Sequence, residues 1–168
     1  MREESLQKAA PFTPLPRGSY GNKQPRNRGI ERLITSYLVR QARKPRAPGA
    51  RNGASVLALT TIGARTGLER TNPVGYGVDG DGWLITASAA GAANHPAWYY
   101  NLAANPDRAV IEIAGERIPV TARQLDIDEA EAKFASIIET SSALARRTLL
   151  GYRRSTDRVI PIIRLTRR

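Results

Sequence analysis

Apolar residues recur along this chain with two periods, and the changes between them mark the elements. Ile30, Leu33, Ile34, Tyr37 and Leu38 fall at i, i+3, i+4, i+7 and i+8, one face of a helix predicted over about 30–43. Lys44-Pro45 and Pro48-Gly49 end it, because a residue before proline is pushed out of the helical region. From Ala54 the pattern turns extended, with strands predicted over 55–62, 70–78 and 82–88. Asp79-Gly80-Asp81-Gly82 joins the last two as a hairpin turn, since aspartate and glycine tolerate positive φ. Asn94-His95-Pro96 opens a helix that carries Trp98, Tyr99 and Leu102 and stops at Asn105-Pro106. A second hairpin follows, Arg108–Ala114 and Glu116–Leu125 around Ala114-Gly115-Glu116, and its first strand alternates Val110, Ile111 and Ile113 with Glu112. Asp126 or Asp128 caps a helix to about Ser141 with Ala130, Phe134, Ile137 and Ile138 on one face. Arg158–Leu165 closes the chain as a strand. Short antiparallel strands with intervening helices define an α+β domain whose sheet curls into a barrel.

Residues 1–29 hold four of the eleven prolines and three glycines without apolar periodicity, and read as a flexible basic arm ahead of one domain over 30–168. A length of 168 residues suits that arrangement. No apolar run approaches the roughly 18 residues of a membrane-spanning helix. The N-terminus lacks the apolar core of a secretory signal, so a cytoplasmic location is expected. Zero cysteines exclude disulfides and thiolate chemistry, and a single histidine argues against multi-histidine metal centres.

The net charge of +11 changes the picture only through its distribution: +9 over residues 1–51, −5 over 52–143 and +7 over 144–168. The barrel region is acidic. A duplex-binding fold would carry its basic stripe on the fold itself, so nucleic acid is a poor partner. The arm and the helix over 30–43 remain readable as a contact for an anionic membrane surface.

Three stretches can carry chemistry. Residues 60–73, TTIGARTGLERTNP, set Arg65, Thr66 and Arg70 among glycines between two strands, which suits an anion cradle of inward N–H groups and guanidinium forks; the same composition also reads as a solvated hairpin connection. It is neither a Walker nor a Rossmann pattern. Residues 86–102, TASAAGAANHPAWYYNL, run from a strand through small residues into a helix, allowing backbone approach to a flat ligand, although the aromatics read equally as core. His95 reads as a helix-start or structural residue. Tyr152, beside Arg153 and Arg154, offers a phenol for proton donation or is a surface tyrosine in a basic tail.

In order, the set T-T-x-G-x-x-[ST]-G-x-x-R, A-S-x-x-G, H-P-x-W-Y-x-N-L-x-A-N-P and T-D-R-x-I-P, over roughly residues 55–165, resembles the deazaflavin-dependent nitroreductase family of actinobacteria, which uses coenzyme F420. The resemblance implies a split β-barrel of the flavin-reductase and pyridoxamine-phosphate-oxidase type, with F420 as cofactor and FMN as the alternative. It implies that Arg65, Thr66, Gly67 and Arg70 hold the phosphate and acidic tail, and that Thr60, Asn72 and Pro73 line the deazaflavin pocket. Ala87, Ser88, Ala89 and Gly91 would approach by backbone, and Ala97, Trp98 and Asn101 from the helix start. The reaction implied is hydride transfer from reduced F420 to a quinone or another conjugated small molecule, with Ser88 and Tyr152 as candidates for orienting or protonating the acceptor; the alternative is a non-catalytic carrier that binds F420 or a flavin. Two departures from the family pattern stand out, the first bearing on the acceptor and the second on the cofactor's affinity. A run that carries several tyrosines in characterised members is Arg146–Gly151 here, with Tyr152 kept, and a lysine common after the A-S pair is Ala89. Split barrels often dimerise, so a homodimer is expected by analogy.

Overall fold

The computed structural model describes residues 12–23, 28–45 and 56–168. Helix α1 spans Arg28–Ala42, followed by strands β1 (Val56–Ile62), β2 (Glu69–Asp79) and β3 (Gly82–Thr86), a 3-10 turn at Ala89–Gly91 and helix α2 (Ala97–Ala104). Then come β4 (Ala109–Ile113), β5 (Glu116–Gln124), helices α3 (Ile127–Thr140) and α4 (Ala143–Arg154), and β6 (Ile162–Arg167). The six strands close into an antiparallel barrel in the order β1-β2-β3-β6-β5-β4.

Strand alternation explains the barrel. Leu57, Leu59, Ile85, Ile111, Ile118, Val120, Ile163 and Leu165 share one buried cluster, and α2 adds Trp98, Tyr99 and Leu102 to it. Burying each such side chain contributes about 1.5–3 kcal/mol before conformational entropy is counted. The opposite faces are covered by helices. Ala58 of β1 lies under Val39 and Ala42 of α1, so β1 is apolar on both sides and reads as a continuous run. Leu84 of β3 and Ile162 of β6 meet Leu125 and Phe134, with Ile137, Ile138, Leu149 and Leu150 of α3 and α4 packed around them. Asp126 caps α3 by accepting the Glu129 N–H at 2.8 Å.

On α1, Leu33, Ile34 and Tyr37 of the apolar stripe are 73%, 54% and 61% exposed, and the helix packs on the barrel through Val39 and Ala42. Four expectations are corrected. Residues 143–154, left without an element by the apolar pattern, form α4, with Ser142 accepting the Ala145 N–H at its start. Pro96 stands one position before α2 as its N-cap, and residues 158–161 precede β6 as irregular chain. Residues 12–23, taken with the arm, lie against the barrel: Phe12 stacks on Tyr99 with centroids 5.6 Å apart, and the Tyr99 hydroxyl accepts the Leu15 N–H at 2.9 Å. The expectations for residues 1–11, 24–27 and 46–55 fall outside the described residues. No described helix is long and apolar enough to cross a membrane.

Candidate functional site

A cleft of about 540 Å³ opens between the β1–β2 loop and the start of α2, within the usual range for small-ligand sites. The loop closes on itself through Gly63 N–H to Leu68 O and Gly67 N–H to Gly63 O, each 2.8 Å. Helix α2 fixes it from the side. Asn101 accepts the Ala64 N–H at 3.0 Å through Oδ1 and donates through Nδ2 to Thr61 Oγ1 at 3.0 Å, and Asn105 donates to Ile62 O at 3.3 Å. Because Asn101 is buried with both ends of its amide engaged, the loop's position follows that of α2.

Arg65, Thr66 and Arg70 line one side of the cleft and Asn72 continues it along β2, while Ala97, Trp98 and Asn101 line the other. Gly63, Ala64 and Tyr100 also line it. Those three were not singled out in the sequence; the first glycine of TTIGARTG was the available signal for Gly63, and the aromatic run for Tyr100. Both arginines are exposed, and among the described residues neither pairs with a carboxylate. Gly67 sits in the same loop with φ +66°, outside the lining. Thr60 is buried in β1, its hydroxyl 2.9 Å from that of Thr71, and Pro73 is half-buried opposite Ala58 on β2.

The remaining residues lie elsewhere. Ala87, Ser88, Ala89 and Gly91 form the link from β3 toward α2, outside the cleft lining, and Tyr152 is half-buried on α4, whose main chain approaches this link at Gly91. Ala89, Ala90 and Gly91 have φ of +45°, +53° and +76°, a run of left-handed residues that is costly for the two alanines. Ser88 is in the right-handed region, so residues 88–90 have the right-then-left form that turns successive N–H groups to one side. Among the described residues, the N–H groups of Ser88, Ala89 and Ala90 have no hydrogen-bond partner.

Behind this link sits a group the sequence reading missed. Arg158 is 6% exposed and has no carboxylate partner among the described residues; its donors go to Ala87 O, Ser88 O and Ala92 O and to Nδ1 of His95. Guanidinium only donates, so His95 Nδ1 is the acceptor, and Nε2–H donates to Pro16 O at 3.1 Å. Burial, and then the Arg158 charge, push the His95 pKa below its usual value, which keeps this tautomer neutral. The T-D-R triplet was the signal in the sequence.

The protein is thus a closed antiparallel barrel with flanking helices, bearing a basic, partly apolar cleft suited to an anionic small ligand. The family model for F420H(2)-dependent quinone reductase matches residues 32–167. An F420H(2)-dependent quinone reductase of Mycobacterium tuberculosis is 38% identical over 124 residues, 73% of this chain and 78% of that one. A solved F420-H2-dependent reductase aligns at TM-score 0.57 and 28% identity over 70% of this chain and 99% of its own. A second solved structure, described as a domain-swapped dimer, aligns at TM-score 0.57 and 25% identity over 82% and 93%. The chain belongs to the F420H(2)-dependent quinone reductase family, an oxidoreductase family whose cofactor is coenzyme F420. The donor set suits that cofactor, since two exposed guanidiniums without acid partners face the cleft beside an indole and an alanine.

Proposed function

We propose that this chain reduces a quinone-like acceptor with F420H(2), and that the cleft holds the cofactor. When bound, reduced F420 supplies the hydride. The observation that carries the reading is the pair of exposed guanidiniums, Arg65 and Arg70, without carboxylate partners on a loop that Asn101 fixes in place. Arg65, Thr66 and Arg70 bind the anionic tail, with Gly67 giving the loop its left-handed turn; Thr60, Asn72 and Pro73 shape the adjoining wall, and Ala97, Trp98 and Asn101 the helix side. Residues 87–91 meet the ring by backbone, a reading supported by the unpartnered N–H groups of Ser88, Ala89 and Ala90. Ser88 and Tyr152 orient or protonate the acceptor. Ser88 is half-buried and its hydroxyl caps no N–H, which leaves it available.

A lipophilic acceptor is met at a bilayer surface, and the outward Leu33, Ile34 and Tyr37 of α1, flanked by Arg32 and Arg40, suit shallow contact with anionic lipid. Flotation with anionic vesicles should carry the wild type and fail when these three residues become serine; no flotation of the wild type would discard this contact. A homodimer forms part of the same reading, and light scattering at a monomer mass would remove it. The function itself is tested by mixing protein, F420H(2) and a menaquinone analogue and following the return of oxidised F420 absorbance. Turnover above the protein-free rate is expected. Binding without turnover of any quinone would overturn the reductase assignment for this chain.

A further inference from the structure

The Thr156-Asp157-Arg158 triplet belongs neither to the cleft nor to the barrel core, yet each of its side chains holds main chain distant in sequence. Asp157 accepts the Ser19 N–H at 2.9 and 3.1 Å, the Ser19 hydroxyl at 2.6 Å and the Tyr20 N–H at 3.3 Å. Thr156 donates to Tyr20 O at 2.9 Å. Arg158 reaches Ala87 O, Ser88 O and Ala92 O at 3.1, 2.6 and 2.7 Å, and through His95 it reaches Pro16 O. One triplet thus fastens residues 16–20 and residues 87–92 together.

The strap made by residues 12–23 completes the hold. Asn22 donates its N–H to Gly91 O and its Nδ2 to Ala90 O, each at 2.8 Å, and Gly18 donates to Ala93 O at 2.9 Å. The Ala89 carbonyl accepts from Ala92 N at 3.1 Å. All six carbonyls from Ala87 to Ala92 are therefore occupied, by Arg158, by Asn22 or within the turn itself. The contact is close. A Cβ on Gly18 would stand 2.4 Å from Asp157 Oδ1, and one on Gly21 would stand 2.2 Å from Ala93 N. A backbone with two left-handed alanines does not hold itself in place, and these bonds offset its strain. With its carbonyls drawn toward the clamp, the turn leaves the N–H groups of residues 88–90 unpartnered.

We infer that Thr156-Asp157-Arg158 is a positioning clamp: through the strap and His95 it holds residues 87–92 in the strained form that presents the N–H groups of residues 88–90 to the cofactor. This rests on the proposal above that the segment meets the deazaflavin ring by its backbone. The triplet acts through the loop and touches no reacting atom.

The test replaces Asp157 with alanine and with asparagine, which keeps one carbonyl acceptor, and Arg158 with lysine, in the full chain. Three readings are taken: amide exchange at 18–22 and at the hydrogen-bonded 91–92, F420 affinity and emission by fluorescence titration, and kcat and KM for a menaquinone analogue. Exchange should quicken in both segments and F420 affinity fall about tenfold in Asp157→Ala, with Asp157→Asn intermediate and the bound-cofactor emission shifted. The value of kcat should fall more than the quinone KM rises. Unchanged exchange at the hydrogen-bonded amides of Gly91 and Ala92 would overturn the clamp, because the strap would then not hold the loop. Faster exchange with F420 affinity, emission and kcat within twofold of wild type would also overturn it, reducing the triplet to a structural fastening. Wild-type protein that binds no F420 would sink the functional reading instead, and the exchange arm would still decide whether the triplet holds the loop.

Discussion

Arg65 and Arg70 at the cleft and Arg158 behind the 87–92 link are the same side chain in opposite states. The first two are exposed, without carboxylate partners among the described residues; the third is buried, with its donors on three carbonyls and one imidazole. A guanidinium with open donors is a group for a ligand, whereas a saturated one belongs to the framework. The two regions should therefore fail differently, one in affinity and the other in stability and loop geometry.

The largest separation comes from Arg158→Ala. Removing it leaves the Ala87 and Ala92 carbonyls and Nδ1 of His95 without a donor and Ser88 O with the Gly91 N–H alone, at a cost of about 3–5 kcal/mol. Urea denaturation reads this directly, and a loss below about 1 kcal/mol would place Arg158 with the surface arginines. Next in size are Arg65→Ala and Arg70→Ala. Each should weaken F420 binding by roughly 10- to 100-fold, the worth of one charge-assisted contact, while the unfolding free energy stays within about 0.5 kcal/mol of wild type. A stability loss without an affinity loss would invert the comparison.

The smallest expected effect is a pH dependence confined to the Arg158 region. The folded state holds His95 neutral, with its pKa below the unfolded value near 6.5. Its contribution to stability is intact above that value and is lost as the pH falls through the lowered folded pKa, because the unfolded chain protonates first. Among the described residues the groups facing the imidazole are the Arg158 guanidinium, the Tyr99 and Tyr100 rings and the Pro16 carbonyl, so no carboxylate among them offsets a new charge there. Thermal melts from pH 7.5 down to 5.5 should decline in the wild type and flatten in His95→Gln. Parallel curves would remove His95 from the account.

Much of this architecture is legible in the sequence where burial and period coincide. The β1 run, the Asp79–Gly82 hairpin and the Asp126 cap are written in local pattern, because each is stabilised by residues close in sequence or by a single buried face. Helix α4 is not so written. Its turns carry Arg146, Arg147, Arg153 and Arg154, Leu144 is exposed, and Leu149 and Leu150 pack, so its apolar face is short and set against a strongly basic one. On α1 the stripe is real but faces away from the barrel, and period alone does not say what covers a face. The strap has no periodicity to read, since carbonyls, N–H groups and Asp157 hold it rather than an apolar face. In the candidate site, the TTIGARTG loop was readable because open arginines among glycines carry a local chemical signature. Arg158 was not, because arginine in a basic C-terminal stretch is ordinarily solvated, and its burial depends on carbonyls some seventy residues away.

The most direct measurement titrates the full-length chain with F420 by fluorescence, beside an Arg65→Ala/Arg70→Ala double variant whose melting temperature matches the wild type. The account predicts saturable binding by the wild type and a loss of at least about 100-fold in the double variant. Equal affinity in the two proteins, or no binding by the wild type, would contradict the assignment of this cleft to the cofactor.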